Sequence, residues 1–262
     1  MGGLARPSVI TTGRSRSRRG PTEPAKVVLF DMDDTIFDHS LTCRDALGRL
    51  RATHPSLRGR PLDELSREYG RLLGATHSDV MLGRRTSDEV RTDRFERLAV
   101  WTGHPVDRAH AEELSREYRS YYQQLRRPVD GAPEFVRSLR GRARVGVVTN
   151  HTVAEQEEKL VFLALETDVD FLVTSEEVGA AKPDPSIFRA ALDRACVSSA
   201  EAVMVGDGWE TDIVGARAAG IAAVWFNRFR ARPPAGDLVP QFTSFRAVRR
   251  LERLLELPRR PH

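Results

Sequence analysis

Asp31-Met32-Asp33-Asp34-Thr35 follows directly on an apolar run, Lys26-Val27-Val28-Leu29-Phe30, that reads as a buried strand. Two carboxylates so close together repel each other and resist ionising unless a cation sits with them. Oxygen donors at a strand end suit Mg2+. Capping a strand-to-helix turn would ask for one Asp, so the Asp-x-Asp-x-Thr pattern marks Asp31 and Asp33 as candidate site residues. Three further polar signals stand at or shortly after later apolar runs: Thr149-Asn150, Lys182-Pro183, and Gly206-Asp207 with Asp212 five residues on. Lys182 is notable because the chain has three lysines (Lys26, Lys159, Lys182) among its 41 basic residues. A compact ammonium fits in a tight space between anionic groups where a planar guanidinium does not.

The elements that must carry these residues alternate. Strands are expected at 26–30, 145–149, 171–174, 202–205 and 222–226, and helices at 132–139, 153–165, 185–194 and 210–219. Such alternation implies an α/β fold, a Rossmann-like doubly wound parallel sheet whose strand ends gather the site. Residues 40–128 break the pattern with Arg- and Glu-rich helical periodicity at 41–50, 62–73, 87–101 and 106–125. The expected organisation is a basic disordered tail over 1–25, an α/β core over 26–38 and 129–258, and an inserted all-helical cap over 39–128.

Composition bounds the function. The 262 residues carry a net charge of +4, and residues 1–25, with five arginines and Glu23, account for all of it. The folded body is therefore neutral, and a nucleic-acid partner is not expected. No run reaches transmembrane length, and Cys43 and Cys196 lack the spacing of a disulfide framework or a zinc site. The tail has the arginines and serines of a transit peptide but no separate apolar region follows it. A cytoplasmic location is the expectation; nothing in the sequence specifies an oligomeric state.

With its four motifs in order, the stretch from about 26 to 228 resembles the haloacid dehalogenase-like (HAD) hydrolase superfamily, and in particular its phosphatases with a helical cap after the first motif. The resemblance implies Asp31 as nucleophile forming an aspartyl-phosphate, and Asp33 as the acid and base that protonates the leaving oxygen and then activates water. It implies Thr149, the Asn150 backbone N–H and Lys182 as phosphoryl ligands. It implies a Mg2+ cofactor held by Asp31, the main-chain carbonyl of Asp33 and Asp207, with Asp212 acting through a metal-bound water or by orienting Lys182. Asp33 distinguishes the chain from the dehalogenases, which lack it, and the absence of lysine between Lys26 and Lys159 argues against Schiff-base phosphonate cleavage unless Lys159 could reach.

Asp31 to Asp38, Thr149-Asn150, Gly179 to Pro183 and Val224 to Arg228 are similar to the group containing 5′-nucleotidases and acylneuraminate 9-phosphatases. The implied partner is a small soluble phosphate ester, a nucleoside monophosphate or a sugar or sugar-acid phosphate. A phosphosugar mutase and a non-catalytic binding protein on the same fold are the alternatives. In the cap, Arg84, Arg85, Arg91 and Arg94 are candidates for substrate contact, Arg91 first; the competing expectation is a solvated helix face with Glu89 and Glu96 as partners. His39 and His151 are expected as structural histidines near the entrance, Trp225 as core, Asp34 as loop support, Asp38 or Ser40 as a helix cap, and Cys43 as a small buried apolar group.

Overall fold

The computed structural model describes residues 24–81, 84–234 and 237–257. Most of the expected tail, residues 1–23, lies outside the described residues, but Ala25 is buried against the core, so the folded body starts earlier than residue 26.

Strand β1 is Val27–Phe30. Its side chains alternate between two cores: Val28 and Phe30 pack on one face of the sheet, Val27 and Leu29 on the other. Burial on both faces explains why the run shows no polar alternation. Four helices follow, α1 (His39–Thr53), α2 (Leu62–Met81), α3 (Ser87–Trp101) and α4 (Arg108–Gln124), packed on one another around Tyr69, Phe95 and Tyr118. Asp38 caps α1, accepting from the Leu41 N–H, and a reciprocal Thr86–Glu89 box starts α3. Helix α2 runs eight residues past its expected end because Gly74 does not break it.

The alternation then resumes with α5 (Ala132–Arg137), β2 (Arg144–Thr149), α6 (Val153–Leu163), β3 (Phe171–Thr174), the short α7 (Ser175–Val178), α8 (Pro185–Ala195) and β4 (Ala202–Gly206). A π-helical turn, Trp209–Val214, leads into α9 (Gly215–Ala218); the sequence reading has one regular helix there. Strand β5 (Ala222–Phe226), the two-residue β6 (Gln241–Phe242) and α10 (Val248–Leu254) are the last elements among the described residues.

Among the described residues the sheet has six strands, all parallel, in the order β3-β2-β1-β4-β5-β6. The order reverses between β1 and β4, and crevices beyond the strand ends at such a switch point are where open α/β sheets bind ligands. Phe30 is in register with Val147 on one side and Val205 on the other. The residues that follow them therefore leave the sheet together.

Candidate active site

Asp31 continues the sheet by one hydrogen bond, its N–H donating to the Val205 carbonyl at 2.9 Å, so the carboxylate is held at the switch point by backbone. The buried Lys182 ammonium lies 2.6 Å from Asp31 Oδ1 and 2.7 Å from Asp212 Oδ1, and donates to the Val148 carbonyl at 2.8 Å. Burial opposes a charge there, yet Asp212 and Asp31 together hold Lys182 above its ordinary range. Burial pushes Asp31 upward, and Lys182 offsets this only in part because Asp212 adds to the rise. Asp207 is likewise raised, by burial and then by Asp31 and Asp212.

Asp31, Asp207 and Asp212 each bring one carboxylate oxygen within 4.8 Å of the others. Three acids against one ammonium is an unbalanced cluster, and a hard divalent cation among all-oxygen donors relieves it. The donor set fits Mg2+. The Asp33 carboxylate is not in this cluster; the sequence reading assigned that residue a ligand role through its main-chain carbonyl.

Local sequence builds the cluster closely. The Thr35 hydroxyl accepts from the Asp207 N–H at 3.1 Å and lies 3.2 Å from Asp207 Oδ1 and 3.4 Å from Asp31 Oδ2, joining the loops after β1 and β4. The π-helical turn brings Asp212 back over its own start, where Oδ2 accepts from the Gly208 N–H at 2.8 Å. A Cβ on Gly206 would stand 2.3 Å from that same oxygen, so only glycine admits the carboxylate. Trp225 is buried as expected, but its indole also donates to the Asp207 carbonyl at 2.9 Å and so fixes the loop.

Asp33 turns the other way. Its carboxylate takes Lys159 Nζ at 2.7 and 2.8 Å and the Gln156 amide at 3.2 Å, both from α6, with His39 Nδ1 at 3.7 Å. Burial would raise its pKa, but Lys159, His39 and His151 hold it below the ordinary carboxylate range. Neither Gln156 nor Lys159 was assigned a role from sequence. A signal was there: positions 156, 159, 160 and 163 form the buried stripe of α6, and a lysine on such a stripe, in a chain with three, calls for a partner. Lys159 does reach the site, where both Asp33 oxygens engage it.

Thr149 ends β2 and is buried. The Asn150 side chain is bonded twice to Lys182: Oδ1 accepts from the Lys182 N–H at 2.7 Å and Nδ2 donates to the Lys182 carbonyl at 2.9 Å. It therefore clamps the peptide that carries Lys182. Asp34, at φ 62°, accepts from the Ser40 N–H at 2.8 Å, supporting the loop as expected. Cys43 departs from expectation. It is half-buried, with Sγ 3.3 Å from His39 Nε2, while His39 Nδ1 meets the Tyr122 hydroxyl at 2.9 Å.

Between the strand ends and the helical block lies a cavity of about 250 Å³. Asp33, Asn150 and His151 line its sheet end; Tyr69, Tyr118, Arg91 and Arg94 line the helical end. Arg91 and Arg94 are buried, which overturns the solvated-face reading for both. The outer arginines do pair on the surface, Arg84 with Asp79 and Arg85 with Asp93, rather than with Glu89 and Glu96.

A family model described as haloacid dehalogenase-like hydrolase matches residues 25–220. The chain belongs to this family. It is 34% identical over 180 residues to pyrimidine 5′-nucleotidase YjjG of Escherichia coli, covering 68% of this chain and 76% of that one. It is 31% identical over 227 residues to the phosphoserine phosphatase of Thermus thermophilus, covering 78% and 89%. Among solved structures, the HAD-hydrolase YfnB of Bacillus subtilis bound to magnesium superposes with a TM-score of 0.70 at 25% identity, over 89% of this chain and 99% of that one. The HAD-like hydrolase assignment and the α/β fold agree with the sequence reading. Among the described residues no helix is long and apolar enough to cross a membrane.

Proposed function

We propose that the protein is a Mg2+-dependent phosphomonoesterase working through an aspartyl-phosphate on Asp31. The observation that carries this is the division of the Asp-x-Asp pair: Asp31 lies among Lys182, Asp207 and Asp212, while Asp33 is drawn to the cavity by Lys159 and Gln156. This division supports attack by one carboxylate from within the acid cluster and proton transfer by the other at the cavity.

In the first step an Asp31 oxygen bonds to phosphorus and the ester oxygen leaves with a proton from Asp33. In the second, Asp33 takes a proton from water as that water's oxygen bonds to phosphorus; the bond to Asp31 breaks, and the proton passes from Asp33 to the departing phosphate, restoring both carboxylates. At rest Lys159 keeps Asp33 a carboxylate, so the proton for the first step enters with a substrate in its monoanionic form, near the second phosphate pKa of about 6. Thr149, the Asn150 backbone N–H and Lys182 are the donors for phosphoryl oxygens whose charge spreads during transfer. Asp31, Asp207, Asp212 and the Asp33 carbonyl would hold Mg2+, which supplies further neutralisation of that charge.

The helical block, residues 39–128, acts as a cap that shields the cavity from bulk water. The cavity suits a small ester, a nucleoside monophosphate or a sugar or sugar-acid phosphate, consistent with the nucleotidase and phosphatase names of the relatives. Purified protein with Mg2+ is expected to release phosphate from at least one member of a panel of such esters. Asp31→Asn should lower kcat by on the order of 10³-fold or more and abolish the phosphoenzyme seen by rapid-quench mass spectrometry. Wild-type turnover in that variant would refute the assignment.

A further inference from the structure

Most charges around the cavity are matched. Asp33 has Lys159, and Glu155 pairs with Arg119 at 3.0 Å. The two arginines at the helical end are not matched in the same way. Arg94, 8% exposed, has no carboxylate within ion-pair distance among the described residues; it donates to the Val90 carbonyl at 3.2 Å and to the Tyr69 hydroxyl at 3.4 Å, and stacks on the Tyr69 ring at 5.3 Å. Arg91, one turn earlier, has among the described residues only Asp88, which at 88% side-chain exposure is a solvated partner. A guanidinium withdrawn from water without a counter-anion is costly, and carbonyls, hydroxyls and an aromatic face return only part of that cost.

We infer that Arg91 and Arg94 form a subsite for a second anionic group, a carboxylate or phosphate on the leaving group, so that the natural substrate is an acidic phosphate ester rather than a nucleoside monophosphate. The inference rests on the phosphomonoesterase reading and narrows it. The cavity reaches both Asp33 and Arg94, so one small molecule can present its scissile phosphate to the strand ends and its second anion to α3. Planar guanidinium groups suit both oxyanions. A nucleobase offers this wall a ring but no charge to match.

The test uses matched pairs on the full-length protein with Mg2+: 3-phosphoglycerate against glycerol 3-phosphate for a carboxylate, fructose 1,6-bisphosphate against fructose 6-phosphate for a phosphate, and uridine monophosphate as the base-bearing ester. The anionic member of one pair should be favoured by about tenfold or more in kcat/KM over its neutral mate and over the nucleotide, the pair identifying the anion. Arg94→Met should bring that ratio towards one. Arg94→Lys, which keeps the charge and guards against a folding defect, should retain part of the preference. Hydrolysis with no preference for an anionic member, or with the nucleotide preferred, overturns this inference and leaves the phosphomonoesterase reading standing. Failure to hydrolyse any ester overturns both.

Discussion

Lys182 and Lys159 divide the site between them, each binding one aspartate of a single motif. Losing Lys182 leaves two buried carboxylates facing each other, whereas losing Lys159 frees Asp33 to wander from the cavity wall. The second loss gives a specific kinetic signature. Lys159→Met should lower kcat for alkyl phosphates such as glycerol 3-phosphate by about 10²-fold, because their leaving oxygen needs the proton. p-Nitrophenyl phosphate, whose leaving group departs unprotonated, should lose far less, and KM should hardly move. A plot of log kcat against leaving-group pKa checks this; an equal loss on all substrates would mean that Lys159 merely supports the fold. Lys182 was visible in the sequence because its surroundings, a loop before proline and a chain poor in lysine, set it apart. Lys159 was hidden because its partner is 126 positions away and its own segment looks like an ordinary amphipathic helix.

At the level of elements, legibility followed burial. β1, β2, β3, β4 and β5 are apolar runs rich in β-branched or aromatic residues and were placed to within a residue or so, and α3 was placed at Ser87–Trp101 from its helical periodicity. β6 is two residues long and stabilised by Phe226, Phe242 and Phe245 stacking across the chain, with no periodicity to read. The π-helical turn was also invisible, since its extra residue serves to seat Asp212 against Gly206. That fit can be tested with a control. Gly206→Ala and Gly146→Ala both force a Cβ into a tight space, 2.3 Å from Asp212 Oδ2 and 2.4 Å from the Phe171 ring respectively. Each should cost about 1–3 kcal/mol in denaturant unfolding. Only Gly206→Ala should also weaken Mg2+ binding in calorimetry, by about tenfold; equal affinity in the two variants would show that the turn plays no part in holding the cation.

Across the whole molecule, the clustered acids link stability to pH, and on the proposed reading to Mg2+. Asp31 and Asp207 have raised pKa values when folded, so folding keeps protons that the unfolded chain releases. Their contribution is complete below the ordinary carboxylate range and is lost as pH rises through the raised values. In EDTA the melting temperature should therefore carry a component that falls towards alkaline pH. Mg2+ should restore it, with a larger rise in Tm at pH 8 than at pH 6, because binding competes with protons. Equal shifts at both pH values, read by scanning calorimetry, would break the link between the cation and these acids. The strand order has a different consequence, for biosynthesis. Among the described strands β1 is translated first and lies at the centre of the sheet, where Val27 pairs with Arg144 on one side and Ala202 on the other. That strand gains its first neighbour when β2 has been translated and its second only with β4. A nascent or prematurely terminated chain that ends before β4 therefore lacks Asp207 and Asp212 and has no assembled acid cluster.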